Sequence, residues 1–302
     1  MQTRYVTEPF VNLWRDPGQV RDVDKPSLEH PAHIESWLQM TLSDRLDLVD
    51  RLESQSLYGE PVLVLEEQGP WSKVCLPGQI TPKDKRGYPG WVPSVQLTFD
   101  SDYHQRWNRG PLAWIIASHA SVKLRSGEEK TVSFMTKLPV IEEGKQEILV
   151  RTPEGGTGRL PSDQAIIGHK PELAPPEDRI RIAKQFLGLP YLWAGMSASG
   201  FDCSGFMFRI FEAGGIQIPR DAGIQARYGK RIDRQHLAPG DLVFFAYEQG
   251  QGAIHHVGMY IGDGFFIHSP RTGHPIRIDP LTTEPYHREF CWGTRYQGDE
   301  TD

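Results

Sequence analysis

Up to about Phe99, apolar and polar residues alternate over short stretches such as Pro61-Val62-Leu63-Val64-Leu65 and Trp71-Ser72-Lys73-Val74-Cys75, with Gly or Pro between one stretch and the next. A period of two bounded by turn residues predicts short strands, and several in series predict a small β-barrel. Between Pro26 and Glu53 the period changes. There Ile34, Trp37, Leu38 and Leu42, then Leu46 and Leu48, fall at helical spacing and predict a helical insertion in the barrel. From about Pro111 to Gly168 the strand pattern returns. Leu138-Pro139-Val140-Ile141-Glu142-Glu143 echoes Glu60-Pro61-Val62-Leu63-Val64-Leu65-Glu66-Glu67, and Gly158-Arg159-Leu160-Pro161-Ser162-Asp163-Gln164-Ala165 answers Gly90-Trp91-Val92-Pro93-Ser94-Val95-Gln96-Leu97. Such self-similarity predicts an internal duplication.

The run His169-Lys170-Pro171-Glu172-Leu173-Ala174-Pro175-Pro176-Glu177-Asp178 reads as a semi-rigid linker, after which a third domain begins. Its first helix is marked by Ile180, Ile182, Ala183, Phe186 and Leu187 behind the acidic start Glu177-Asp178, and Gly188-Leu189-Pro190 ends it. Helices come first and strands later, an α+β order. The expected domains are residues 1–104, a barrel with a helical insertion, 105–170, a second barrel, and 171–302. Short strands closing on Gly-x-Val/Leu-Pro resemble bacterial SH3-type domains in both barrels.

Composition narrows the class. The chain of 302 residues is 38% hydrophobic and 24% charged, enough to bury a substantial core. A net charge of −6 without a Lys/Arg stripe argues against nucleic acid or an anionic membrane as partner. Three scattered cysteines, Cys75, Cys203 and Cys291, do not make a disulfide framework and favour a reducing compartment. No basic segment followed by an apolar run opens the chain, so the cytoplasm is the expected location, or outside the cell if a leader has been removed.

Chemistry concentrates at Gly200-Phe201-Asp202-Cys203-Ser204-Gly205-Phe206. Met207, Ile210, Phe211 and Gly214 follow Cys203 at i+4, i+7, i+8 and i+11, predicting a helix that buries one stripe and stops at Gly214-Gly215. Cys203 then lies in the first turn with Asp202 as N-cap, where unpaired N–H groups and the helix dipole favour a thiolate. A lone cysteine is more often a small buried hydrophobe, as Cys75 and Cys291 are expected to be. A nucleophile needs a base, and the base an orienting group.

Both are available downstream. His256-Val257-Gly258-Met259-Tyr260-Ile261 alternates, Gly262-Asp263-Gly264 is a turn, and Phe265-Phe266-Ile267-His268 returns as the next strand. With a three-residue loop, Gly258 lies opposite His268 and Tyr260 opposite Phe266. His256 and His268 become diagonal neighbours, about 7–8 Å apart at Cα, and the imidazoles can meet over the glycine. A two-residue loop shifts the register and separates them. Zinc is the competing use for His255, His256, His268 and His274, but no paired-Cys or His-Glu-x-x-His motif supports it; no metal or other cofactor is expected.

The run Tyr191-Leu192-Trp193-Ala194-Gly195, the Cys203 motif, Pro219-Arg220, Pro239-Gly240-Asp241-Leu242-Val243-Phe244-Phe245, His256 to Gly262 and His268 together resemble the NlpC/p60 family of cell-wall peptidases, over about Glu177 to Tyr296. With two SH3-like barrels in front, the whole chain resembles the YkfC-type γ-D-glutamyl-L-diamino acid endopeptidases. The resemblance implies a papain-like α+β core with Cys203 as nucleophile, His256 as base and His268 orienting it. It places Tyr191 near the oxyanion side and Trp193 along the pocket. Ala194 departs from the motif's first glycine, and Ala222 stands where many members have serine, leaving one substrate hydrogen bond in doubt.

The implied substrate is a small murein peptide, L-Ala-γ-D-Glu-diamino acid, met during cell-wall peptide recycling. Only two residues then lie on the acyl side, so the free α-amine comes close to Cys203 and requires a carboxylate. Asp202 is the first candidate and Ser204 can add a hydrogen bond, while the resemblance further implies Glu53 and Tyr88 from the first barrel. Two other readings stay open: a wall-binding or scaffolding protein with a degenerate third domain, against which the intact Cys203, His256 and His268 argue, and acyl transfer through the same thioester.

Overall fold

The computed structural model describes residues 1–297. The chain forms two compact units, Met1–Pro171 with Met196–Ser199, and Glu172–Gly195 with the residues from Gly200 onward. Among the described residues no helix is long and apolar enough to cross a membrane.

The first unit holds two seven-stranded sheets with the same strand order. In one the order is Leu52–Leu57, Phe10–Trp14, Tyr88–Pro93, Trp71–Leu76, Pro61–Gln68, Gln2–Val6 and Leu97–Thr98; in the other it is Glu129–Ser133, His119–Leu124, Thr157–Pro161, Glu147–Arg151, Lys137–Glu143, Leu112–Ile115 and Ala165–Gly168. Each strand of one sheet thus has a counterpart at the same place in the other. Each also has a 3-10 turn that follows a proline, Ser94–Gln96 after Pro93 and Ser162–Gln164 after Pro161. Alternation buries Val62 and Val64 in one sheet and Ile148 and Val150 in the other. A helix not foreseen from the sequence, Ser101–Arg109, joins them; Asp100 caps it by accepting from the Tyr103 amide at 2.7 Å, and the expected boundary at 104/105 falls inside it.

The helical insertion is shorter than its apolar spacing suggests. Ile34–Leu38 and Leu42–Leu46 are separate helices because Thr41 caps the second, its hydroxyl accepting from the Asp44 amide at 3.2 Å while Asp44 accepts from the Thr41 amide at 3.2 Å. Ile34 and Trp37 are buried, whereas Leu42 and Leu46 are 56% and 53% exposed, so the apolar period does not continue across the break.

The second unit is α+β. Helices Pro176–Lys184 and Cys203–Ala213 precede an antiparallel six-stranded sheet ordered Lys230–Ile232, Phe290–Arg295, Leu242–Ala246, Ile254–Gly262, Phe265–His268 and Arg277–Pro280. The helix Cys203–Ala213 buries every residue from Ser204 to Phe211 rather than one stripe, because packing surrounds it. Phe186, Phe201 and Phe206 cluster at its start, with ring centroids 5.3 to 6.1 Å apart. Asp241, from the Pro-Gly-Asp turn, accepts from Arg295 Nε at 2.7 Å and Nη2 at 2.8 Å and so ties the sheet's second and third strands.

Candidate active site

Cys203 begins its helix, and Asp202 accepts from the Gly205 amide at 2.6 Å as the N-cap. Gly214 is the C-cap, and Gly215 follows with φ +75°, a conformation glycine adopts freely. The expected thiolate is not what these surroundings favour. Burial, with the Asp202 charge beside it, pushes the Cys203 thiol up to about 12, against the opposing pull of Arg220 and of the Val257 and Ser204 amides. Desolvation here opposes the pull of the helix N-terminus on the sulfur.

Two histidines face one another across the strand pair, His256 Nε2 lying 2.7 Å from His268 Nδ1. The turn that brings them together differs from the one expected. Gly262 pairs directly with Phe265, leaving Asp263 and Gly264 as a two-residue loop, both at positive φ (+52° and +80°). Alone this would displace the histidines, but a bulge at Ile261 shifts the register back, so Tyr260 pairs with Phe266 and Met259 with Ile267. Gly258 leaves room for the rings: a Cβ there would sit 3.0 Å from His268 Cβ and 2.7 Å from Phe266 Cδ2.

Phe245 and Tyr286 also pack on the pair, and His256 and His268 are 4% and 0% exposed. Burial holds the His256 imidazole well below its ordinary pKa, with His268, His255 and Arg277 adding to the effect. His268 is lowered for the same reason and partly restored by Asp279. Both rings are therefore neutral at pH 7. His256 has Nε2 engaged with His268, so Nδ1 is its other ring nitrogen, and the next residue, Val257, places its amide beside the Cys203 sulfur.

Asp202 and Ser204 belong to a small buried network that the sequence reading did not complete. Arg220 donates to both Asp202 oxygens, Nη2 to Oδ2 at 2.6 Å and Nη1 to Oδ1 at 3.1 Å, and to Ser204 Oγ at 2.8 Å. Oδ1 also accepts from Ser204 and the Gly205 amide, so Oδ2, with one of these bonds, retains capacity for another donor. Tyr191 is 6% exposed, and burial together with Cys203 and Asp202 raises its hydroxyl well above the ordinary value. Trp193 is partly buried. Ala194 has φ +62°, which explains the glycine it departs from, and Ala222 opens the short helix Ala222–Gln225.

Within the first unit, Glu53 lies in the strand Leu52–Leu57, and Tyr88 opens Tyr88–Pro93. Tyr88 donates to Glu53 at 3.3 Å, and Lys83 bonds both, reaching the tyrosine hydroxyl at 2.7 Å. Arg15 donates to the same carboxylate at 2.6 Å. Two cations hold Glu53 below its ordinary range despite burial. Cys75 is buried in a strand, and Cys291 donates to the Phe244 carbonyl at 3.2 Å. His255 points away from His256, stacking on Tyr247 with centroids 4.2 Å apart and pairing with Glu289 at 3.2 Å. Among the described residues no cluster of His, Cys, Asp and Glu is placed to hold a metal ion.

Residues 188–295 match the NlpC/P60 family, residues 112–167 the YKFC SH3b2 domain, and residues 49–97 the bacterial dipeptidyl-peptidase Sh3 domain. Among curated proteins, the chain is 41% identical to the gamma-D-glutamyl-L-lysine dipeptidyl-peptidase of Bacillus cereus, over 97% of this chain and 90% of that one. It is 43% identical to the protein of the same name from Bacillus subtilis, over 95% and 96%. The crystal structure of a NlpC/P60 family protein from Bacillus cereus matches with a TM-score of 0.95 at 38% identity, covering 98% of this chain and 99% of that one.

Proposed function

The chain belongs to the NlpC/P60 family of cysteine peptidases, and from that membership we propose that it hydrolyses the γ-D-glutamyl bond to an L-diamino acid in short murein peptides, releasing an N-terminal dipeptide. The observation that carries the site assignment is the 2.7 Å imidazole pair behind a cysteine in the first turn of a buried helix. On approach of the γ-carbonyl, Cys203 gives its proton to His256 Nδ1 and the sulfur attacks the carbonyl carbon. The Cys203 backbone N–H, at the start of the helix, stabilises the oxyanion, and Tyr191, buried near Cys203 and Asp202, is assigned to the same side. His256 then protonates the departing amine. Water, deprotonated by His256, cleaves the thioester and restores the thiol.

Specificity follows from what lies beside the nucleophile. A substrate with two residues on the acyl side places its α-ammonium close to Cys203, and Asp202 Oδ2 with Ser204 Oγ offers acceptors there. An acylated amine would bring no charge to that carboxylate and would add bulk, so the preferred substrates are free L-Ala peptides, as in recycling of wall fragments, with lysine or diaminopimelate as third residue. Glu53 and Tyr88 are proposed as further substrate-binding groups; Glu53→Gln and Tyr88→Phe should each raise KM for the free tripeptide.

The test is turnover of L-Ala-γ-D-Glu-L-Lys followed by mass spectrometry. Cys203→Ala should abolish dipeptide release while the protein stays folded. Acetylating the alanine should lower kcat/KM about 30- to 5,000-fold, equivalent to roughly 2–5 kcal/mol for stranding a buried charge. Equal turnover of free and acetylated peptides, or release of fragments from intact sacculi, would refute the amine-site reading.

A further inference from the structure

The hydrogen-bonded line that starts at His256 does not end at His268. His268 Nε2 lies 3.1 Å from Asp279 Oδ2, and the same oxygen accepts from Arg277 Nε at 2.8 Å. Strand register explains the alignment. Phe266 pairs with Asp279 and His268 with Arg277, so Asp279 is diagonal to His268 as His268 is to His256, and all three lie on one face of three adjacent strands. Tyr286 packs edge-on against His268, ring centroids 5.1 Å apart at 90°, covering the line.

Proton placement follows from what each atom can do. An ionised carboxylate only accepts, so His268 must carry its hydrogen on Nε2. A neutral imidazole has one N–H, which leaves His268 Nδ1 bare and able to accept only from His256 Nε2–H. His256 Nδ1 is then bare as well. Without the carboxylate the opposite arrangement becomes available: His268 donates from Nδ1, His256 carries its hydrogen on Nδ1, and the base presents a proton to the thiol. We propose that Asp279, held by Arg277, is a positioning residue that fixes the tautomers of both histidines and so presents the bare Nδ1 of His256 to Cys203. This rests on the reading of His256 as the base.

The experiment is nitrogen-15 NMR of the imidazole rings at pH 7.5, joined to kinetics on the tripeptide. In the unmodified protein both rings should be Nε2–H tautomers; a hydrogen on His268 Nδ1 overturns the proposal with no variant needed. Asp279→Ala should give mixed or reversed tautomers and lower kcat about 10- to 100-fold with KM changed less than about threefold. Asp279→Asn, whose amide oxygen Arg277 can orient toward His268, should restore the Nε2–H forms and part of kcat. Unchanged tautomers and kcat in Asp279→Ala refute it. If instead His256→Ala retains turnover, the base assignment fails while the tautomer result stands by itself.

Discussion

Gly258→Ala adds one methyl group at the position that lets the two histidines meet. Its Cβ would lie 2.7 Å from Phe266 Cδ2, 3.0 Å from His268 Cβ and 3.0 Å from the Ile267 carbonyl oxygen, all shorter than ordinary van der Waals contact. None of these atoms is the free end of a flexible chain. Phe266 and His268 are locked by pairing to Asp279 and Arg277 on the far side, and both are fully buried. Overpacking of this kind costs about 1–3 kcal/mol of stability, a fall of roughly 2–10 °C in Tm for a domain this size. The effect on catalysis should be larger. Relieving a 3.0 Å contact moves the His268 backbone by roughly several tenths of an ångström, and His268 stands 2.7 Å from His256, the proposed base. Misplacement on that scale should lower kcat by about 10- to 100-fold, with KM nearly unchanged. Dipeptide release measured at saturating tripeptide, beside a thermal melt, reads both quantities. A Gly258→Ala protein with full kcat would show that the histidine pair tolerates displacement and that its contact is not the catalytic one.

With His256 proposed as the proton acceptor and His268 as its orienter, His256→Ala should cost more in kcat than His268→Ala; equal losses would count against the assigned order. The pH profile of kcat/KM should show an acid limb well below 6.5, because burial depresses His256, and an alkaline fall near the substrate α-amine, about 7.7–8.0, rather than at Cys203, whose thiol is pushed up to about 12. An alkaline limb that persists with an N-acetylated substrate would assign it to the enzyme instead. Stability should fall below pH 6.5, since the unfolded chain takes up protons there that buried His256 and His268 refuse. Each contributes up to about 1.4 kcal/mol between pH 7.5 and 5.5. Urea unfolding at the two pH values should show a loss about 1 kcal/mol smaller in His256→Gln, and an equal loss would refute the burial account.

Local signals were readable wherever they concern one element. The helix from Cys203, its Asp202 cap and its Gly214-Gly215 stop follow from spacing within a dozen residues, and the duplicated barrels from self-similar strand ends. The histidine pairing was foreseen through a different turn, and the bulge at Ile261, which no residue type announces, restores the register. Asp279 was missed because its place depends on a third strand whose register the intervening Pro270–Ile276 segment does not specify. Arg220 was noticed in its Pro-Arg motif, yet a partner 18 residues away is set by tertiary packing. At Cys203 the helix dipole can be read from sequence, but the desolvation that opposes it is a property of what packs around the helix.

Arg220 resolves a conflict at the centre of the site. In the proposed function Asp202 beside the nucleophile takes the substrate ammonium, yet the same carboxylate raises the Cys203 thiol and opposes the negative sulfur that attack requires, while Arg220 acts in the opposite direction. The ion pair at 2.6 Å offsets the carboxylate's field at the sulfur and leaves one acceptor direction of Oδ2 open. Arg220 is 1% exposed, so Arg220→Gln strands Asp202 without its partner and also costs about 3–5 kcal/mol of stability. At a temperature where that variant remains folded, kcat should fall for free and acetylated tripeptides alike, because the damage is to the nucleophile. Asp202→Asn removes the opposing charge and should instead reduce the preference for the free amine while sparing turnover of the acetylated peptide. Measuring both variants on both peptides separates the roles. If Arg220→Gln lost only the free-amine preference, Arg220 would be a substrate-side residue with no part in making the thiol reactive.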